Sequence, residues 1–212
     1  MVLPHESLSE KVKQAIIERV LDGTYPPGTR LLELALAREF GISQGPVREA
    51  LRELSATRLV ESRPRRGTFV RAASQEDLAE VYLVRMALEE IAGRYGMETL
   101  HADPSPLYRA LERMRAAADA GDLREFVRGS VEFHRVVVAA AGNRLLLEIW
   151  DSLHVEARTM ATVVRGHVDL HAGAEMHAPL VEAFVRGNAE ECGRLLAEHQ
   201  QEYLKLPQDS TG

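Results

Sequence analysis

Three observations predict a mainly α chain in two parts. They are helical three-and-four periodicity through most of the 212 residues, one short hairpin pattern, and a change of charge sign about a third of the way along. The first 73 residues hold 12 Lys/Arg against 9 Asp/Glu, and the remainder 14 against 23, within a net charge of −6. A basic front joined to an acidic body is the footprint of a nucleic-acid reader fused to something else.

In the front part, Ser7-Leu8-Ser9-Glu10 has the form of a capping box. It opens a helix whose apolar face is Leu8, Val12, Ala15, Ile16 and Val20. Gly23 and Tyr25-Pro26-Pro27-Gly28 stop that helix. Leu36, Ala37 and Phe40 supply the face of a second helix, Gly41 can end it with a positive φ, and Ile42 plugs the turn. Ser43 is a natural N-cap for a third helix, with Pro46 tolerated in its first turn. Val47, Ala50, Leu51 and Leu54 repeat at i, i+3, i+4 and i+7, so Gln44, Arg48 and Arg52 share the opposite face. Residues 59–62 and 68–70 read as short strands joined by the basic turn Arg63-Pro64-Arg65-Arg66-Gly67. Helix, helix, helix, hairpin is a winged helix-turn-helix. Its third helix suits a DNA major groove, and its arginine tip suits a phosphate or the minor groove. A small helical domain with a solvated basic loop is the alternative; the hairpin following at once argues against it.

From Ser74 onward no strand pattern recurs. A first long helix carries Leu78, Val81, Tyr82, Arg85, Leu88, Glu89 and Ala92 on one side, and Asp103-Pro104-Ser105-Pro106 breaks it. A second runs through Leu107, Leu111 and Met114, and a third from Gly121-Asp122 to Gly142-Asn143. A fourth covers residues 145 to about 165, a fifth 174–186, and a sixth ends near 206. Six helices with short connections predict an all-α antiparallel helical bundle. The expected divisions are a DNA-binding domain at 1–73, an all-helical domain at 74–206, and a polar tail at 207–212.

Composition excludes other classes. At 45% hydrophobic residues the chain can build real cores, yet no apolar run approaches the ~20 residues a bilayer span needs. The N-terminus lacks the basic start and apolar stretch of a signal peptide. The single cysteine, Cys192, rules out an intramolecular disulfide and lies on a stripe with Leu195 and Leu196. A cytoplasmic protein with no membrane partner is expected.

Three histidines occupy apolar stripes. His134 shares one with Leu123, Val127, Ser130, Val137 and Ala141; His177 with Leu180, Val181 and Phe184; His199 with Cys192, Leu195, Leu196 and Tyr203. One such histidine is ordinarily a satisfied core residue. Three pointing inward from three helices are costly to bury without a shared partner, and a divalent metal would satisfy all of them. His167 and His171, four apart, fall near a helix end at the surface; His5 and His101 fall in loops, and His154 could face core or solvent.

Both halves, in this order, resemble the GntR family of bacterial transcription regulators, and more narrowly its FadR subfamily with the all-helical FCD effector domain in its shorter, six-helix form. The resemblance runs from about Leu8 to Tyr203. It rests on YPPGTRLLELALAREFGISQGPVREALREL, RPRRGTFV, VYLVRMALEEIAG, FHRVVVAAAGN and AEHQQEYL. It implies a homodimer on a palindromic double-stranded operator, with Arg38, Ser43, Gln44, Gly45, Arg48, Arg65, Arg66 and Gly67 where the family touches DNA. Gln44 and Gly45 depart from the arginine and the serine or threonine common there. Glutamine pairs well with adenine where arginine prefers guanine, and glycine has no hydroxyl for a phosphate.

The resemblance also implies a metal, Zn²⁺ or Ni²⁺, on His134, His177 and His199, with a small carboxylate metabolite reaching its open positions. The acidic ligand usual one turn before the first histidine is here Ser130, a poor ligand. Arg85 falls where an effector carboxylate is contacted, or else forms an ion pair with Glu89 at i+4. Arg158 and Asn143 are further pocket candidates, Asn143 equally a helix cap. A repressor relieved by ligand is the expectation. Its rivals are a metal-responsive regulator in which the ion is the signal, and a metal-dependent hydrolase, against which no obvious general base adjoins the histidines.

Overall fold

A computed structural model describes residues 7–72 and 74–204, and the chain divides into two compact units, Met1–Ala73 and Ser74–Gly212. His5 and the tail at 207–212 lie outside the described residues. Each unit is built on its own core.

The first unit contains α1 (Leu8–Leu21), β1 (Arg30–Leu31), α2 (Glu33–Phe40), α3 (Gln44–Ala56), β2 (Val60–Arg63) and β3 (Gly67–Val70). The Ser7 hydroxyl accepts from Glu10 N at 3.1 Å, as a cap should. The buried face of α1 is rotated from the expected one. Ser9, Val12, Ile16 and Ile17 are inside, while Leu8 is exposed, in a helix that packs against α3. α2 ends at Gly41 with φ 66°, the left-handed value that lets the chain reverse sharply into α3. Val47, Ala50, Leu51 and Leu54 are buried together as predicted. The sheet has the order β1-β3-β2, antiparallel, with Val60 opposite Val70 and Arg63 opposite Gly67. β1 was not anticipated; two residues after a Pro-Pro-Gly turn offer no alternation to detect.

The second unit contains α4 (Gln75–Ala102), α5 (Ser105–Ala120), α6 (Leu123–Ala140), α7 (Arg144–Ser152), α8 (Val155–Arg165), α9 (Leu170–Glu175), α10 (Ala178–Arg186) and α11 (Ala189–Leu204). Ser74 and Asp77 form a reciprocal capping box at the start of α4. Phe126, Phe133, Trp150, Phe184, Leu107, Met114 and Leu196 fill the core. Among the described residues eight helices replace the six expected, for two physical reasons. The expected fourth helix breaks at His154, which takes the left-handed values φ 48°, ψ 52° between α7 and α8. α9 begins at Leu170, ahead of the fifth helix expected at 174–186, and stops before Pro179, which lacks the N–H needed to continue from α9 and instead sits in the first turn of α10. His101, expected in a loop, belongs to the last turn of α4, its Nδ1 3.1 Å from the Val185 carbonyl.

α4 packs closely against both α11 and α6, and glycines make that possible. A Cβ on Gly93 would lie 2.5 Å from Leu196 Cδ1 and 3.0 Å from Cys192 backbone atoms. On Gly96 it would stand 3.1 Å from the Val137 carbonyl. Gly93→Ala should therefore cost about 1–3 kcal/mol by overpacking, read as a lower midpoint in thermal unfolding; an unchanged midpoint would mean the helices can separate freely. Burial pushes the Cys192 thiol up to about 11, so it stays a packed, protonated group. Among the described residues no helix is long and apolar enough to cross a membrane.

Candidate DNA interface and metal centre

The first unit presents its cations at three places. Arg38 is exposed in the last turn of α2, and its side chain has no partner among the described residues. At the start of α3, Ser43, Gln44 and Gly45 are all exposed. The Ser43 side chain makes no capping bond, so its hydroxyl is available to an anion beside the helix N-terminus. Open space surrounds Gly45: an added Cβ would meet only Ser43 Oγ, at 4.0 Å, so the missing side chain reflects no steric demand. Arg48 is exposed but held by Glu33, with Nε and Nη2 at 3.0 and 2.9 Å from Oε2. That pair, which sequence reasoning missed, is a solvated one that a phosphate can displace.

The hairpin is braced around Phe69. The Arg63 guanidinium lies 4.7 Å from the ring centroid and pairs with Glu61, while Arg30 from β1 lies 6.0 Å from the same ring. Pro64 and Arg65 occupy the turn, closed by Arg66 N–H donating to the Arg63 carbonyl at 3.0 Å. Arg65 has φ 61° and Gly67 φ 98°. Proline followed by a positive φ is type II turn chemistry, with arginine where glycine is usual. The side chains of Arg65 and Arg66 are exposed and unpaired among the described residues.

In the second unit the three predicted histidines do meet. His134 comes from α6, His177 from the residue capping α10, and His199 from α11; all are buried, and their ligand atoms lie within 4.8 Å of one another. Ring centroids are 5.3, 5.1 and 4.4 Å apart for the pairs 134–177, 134–199 and 177–199. The break before Pro179 turns His177 so that Nδ1 donates to the Gly173 carbonyl at 2.9 Å. His134 Nδ1 lies 2.9 Å from Glu89 Oε2. In both rings the acceptor fixes the N–H on Nδ1 and leaves the Nε2 lone pair for a ligand. His199 Nε2 is buried without a hydrogen-bond partner. Burial, and then the neighbouring His134, holds His177 down at about 3; burial, with His177, His134 and Arg85 around it, lowers His199 well below the usual imidazole value. Buried imidazoles that turn ring nitrogens toward one another, one of them orphaned, fit a borderline-soft divalent ion, which needs donors about 2.0–2.1 Å away. Ser130 adjoins them, its hydroxyl 3.5 Å from His177 Nε2.

Sequence reasoning missed the acid beside this centre. Glu89, fully buried, accepts from Arg85 Nε at 3.0 Å and Trp150 Nε1 at 2.8 Å through Oε1, and from Gln200 Nε2 at 2.6 Å through Oε2. Burial alone would raise its carboxyl, but Arg85 and then His134 outweigh that and hold it at about 2. The i, i+4 spacing to Arg85 was the available signal; nothing in the chain foretold the histidine.

The remaining predicted residues separate. Arg85 is committed to Glu89, to Thr159 Oγ1 at 3.4 Å and to the Tyr82 ring at 5.3 Å. Arg158 Nε donates to the Leu153 carbonyl at 2.9 Å, closing the end of α7 that the break at His154 exposes. Asn143 is exposed and caps the other end of α7 through Leu146 N at 3.1 Å. The helix-cap reading of Asn143 accounts for it.

A winged helix-turn-helix with unpartnered cations at the end of α2 and at the wing tip, followed by a helical unit with a buried polar centre, defines a DNA-binding regulator. The model for bacterial regulatory proteins of the gntR family matches residues 8–70, and that for the FCD domain matches residues 80–202. The "Probable D-xylose utilization operon transcriptional repressor" of Paenarthrobacter nicotinovorans is 37% identical over 99% of this chain and 93% of its own. The gluconate operon transcriptional repressor of Bacillus licheniformis is 31% identical over 71% of this chain and 62% of its own. Among solved structures, E. coli McbR/YncC superposes with a TM-score of 0.78 at 26% identity, covering 95% of each chain. The chain belongs to the GntR family of transcription regulators, in the branch with an FCD domain, which fits the FadR subfamily. Its relatives are regulators rather than enzymes.

Proposed function

We propose that the protein is a ligand-responsive transcriptional repressor that grips a palindromic operator as a homodimer and lets go when a small organic acid enters the helical unit. The acid would reach open positions of a divalent ion, Zn²⁺ or Ni²⁺, held by His134, His177 and His199. One observation carries this reading: three buried imidazoles from three helices converge, and the Nε2 of His199 among them has no hydrogen-bond partner. The repressor names of the xylose and gluconate relatives support a sugar-derived acid, and D-gluconate is the first to try. On the DNA side, Arg38, Ser43, Arg48, Arg65 and Arg66 would meet phosphates while Gln44 reads a base edge. A ligand shifts operator affinity only as far as it prefers one dimer form over the other.

The test is operator binding by the metal-loaded protein at fixed salt, with and without D-gluconate and other small hydroxy acids. Binding that ignores every acid sinks the sensing role. A second reading, that the ion itself is the signal, is favoured by a cluster that among the described residues holds no acidic donor, which makes loading weaker and reversible. Operator affinity that follows free Zn²⁺ or Ni²⁺ with no acid present would select it.

Support for the homodimer comes from α4. Leu83, Ala87, Ile91 and Tyr95 recur every four residues on its outer side, and Leu83, Ile91 and Tyr95 are 58%, 45% and 74% exposed. One apolar stripe on one helix is self-complementary about a two-fold axis. Ile91→Glu/Tyr95→Glu should convert the dimer to monomer in sedimentation and lower operator affinity at least 10-fold; a double variant that stays dimeric removes α4 from the interface.

A further inference from the structure

We propose that Glu89 is the positioning and charge-balancing residue of the histidine centre, acting through His134. This deepens the metal reading above and rests on it.

The inner donors are His134, His177, His199 and the neighbouring Ser130 hydroxyl, all buried and none negatively charged at neutral pH. A divalent ion among them keeps its whole charge in a medium that penalises it. Glu89 supplies the opposite charge one layer back, and its two oxygens divide the work. Oε1 takes Arg85 and Trp150, which anchor the carboxylate within α4 and against α7. Oε2 takes His134 Nδ1 at 2.9 Å and Gln200 Nε2 at 2.6 Å. Gln200 is the residue after His199, so Oε2 touches one ligand directly and braces the helix position beside a second. A carboxylate behind an imidazole fixes its tautomer and strengthens the far nitrogen as a donor. Arg85 needs only Oε1, so the contact to His134 is additional to the ion pair.

The experiment is Zn²⁺ titration of the apo full-length protein against a chromogenic chelator. Glu89→Gln should bind Zn²⁺ about 10–100-fold more weakly than wild type. Adding Ser130→Asp to Glu89→Gln should recover most of that loss, since the charge returns by a different route. Ser130→Asp should gain less affinity in wild type, where Glu89 already supplies the charge, and equal gains in the two backgrounds would mark Glu89 as purely structural. Because Glu89→Gln leaves Arg85 without its partner, the paired Arg85→Met/Glu89→Gln variant removes both charges together and should show the same weakened binding. Trp150, the one tryptophan of the sequence, shares the carboxylate, so its emission should change as wild type takes up Zn²⁺. Undiminished Zn²⁺ affinity in Arg85→Met/Glu89→Gln, or folded Glu89→Gln that Ser130→Asp fails to rescue, overturns the role of Glu89. If wild type binds Zn²⁺ no better than His177→Ala does, the metal reading itself falls, and this one with it.

Discussion

Arg85→Met should cost about 3–5 kcal/mol of stability and lower the unfolding midpoint of the helical unit by on the order of 10 °C. Arg85 is 3% exposed and Glu89 is 0%, one turn apart on α4. Removing the arginine abandons a buried carboxylate, and that desolvation penalty is the larger part of the loss. The indole of Trp150 and the amide of Gln200 remain as donors, which sets the upper limit of the damage. Arg85→Met/Glu89→Gln should recover much of the stability, because it removes both desolvated charges. Calorimetry of the two variants separates a frame residue from a ligand contact. If Arg85 served only to receive an effector carboxylate, Arg85→Met would unfold like wild type and lose nothing but its response to ligand.

How far the sequence revealed this molecule depended on whether a feature was local. The Ser7 cap of α1, the left-handed stop at Gly41 and the buried set Val47, Ala50, Leu51 and Leu54 are short-range consequences of side-chain chemistry. Each could be read from a few neighbouring residues. The stripes holding His134, His177 and His199 were equally visible, because periodicity alone assigns a helix face. What escaped depends on partners far along the chain. The break at His154 has no glycine or proline to announce it, and it is the end of α7 that gives Arg158 its acceptor. Pro179 did announce the second break. Its effect, turning His177 toward the Gly173 carbonyl, needed the geometry of α9 and α10. Glu89 lies 45 positions before His134, so no spacing rule joins them; only the packing of α4 on α6 does. The pairing of Arg48 with Glu33 is similar, set by the crossing of α2 and α3.

Replacing both wing-tip arginines, Arg65→Ala/Arg66→Ala, should weaken operator binding by on the order of 100-fold at about 0.1 M salt. Each cation that leaves a phosphate takes about 0.9 from the slope of log affinity against log salt, so losing two from each protomer of a bound dimer should flatten the slope by roughly 3.6. The side chains invite this role because no acid competes for them among the described residues, whereas Arg63 beside them is spent on Glu61 and Phe69. Phosphate contact further requires the loss to be nearly equal for operator and random duplex. A loss confined to A·T-rich flanks would instead show the tip reading a narrow minor groove. Folding should not suffer. Alanine at position 65 keeps a positive φ that it tolerates no better than arginine, so the turn held by Arg66 N–H and the Arg63 carbonyl decides the backbone in both. A variant with an unchanged salt slope would remove the wing from the DNA and leave α3 to bind alone.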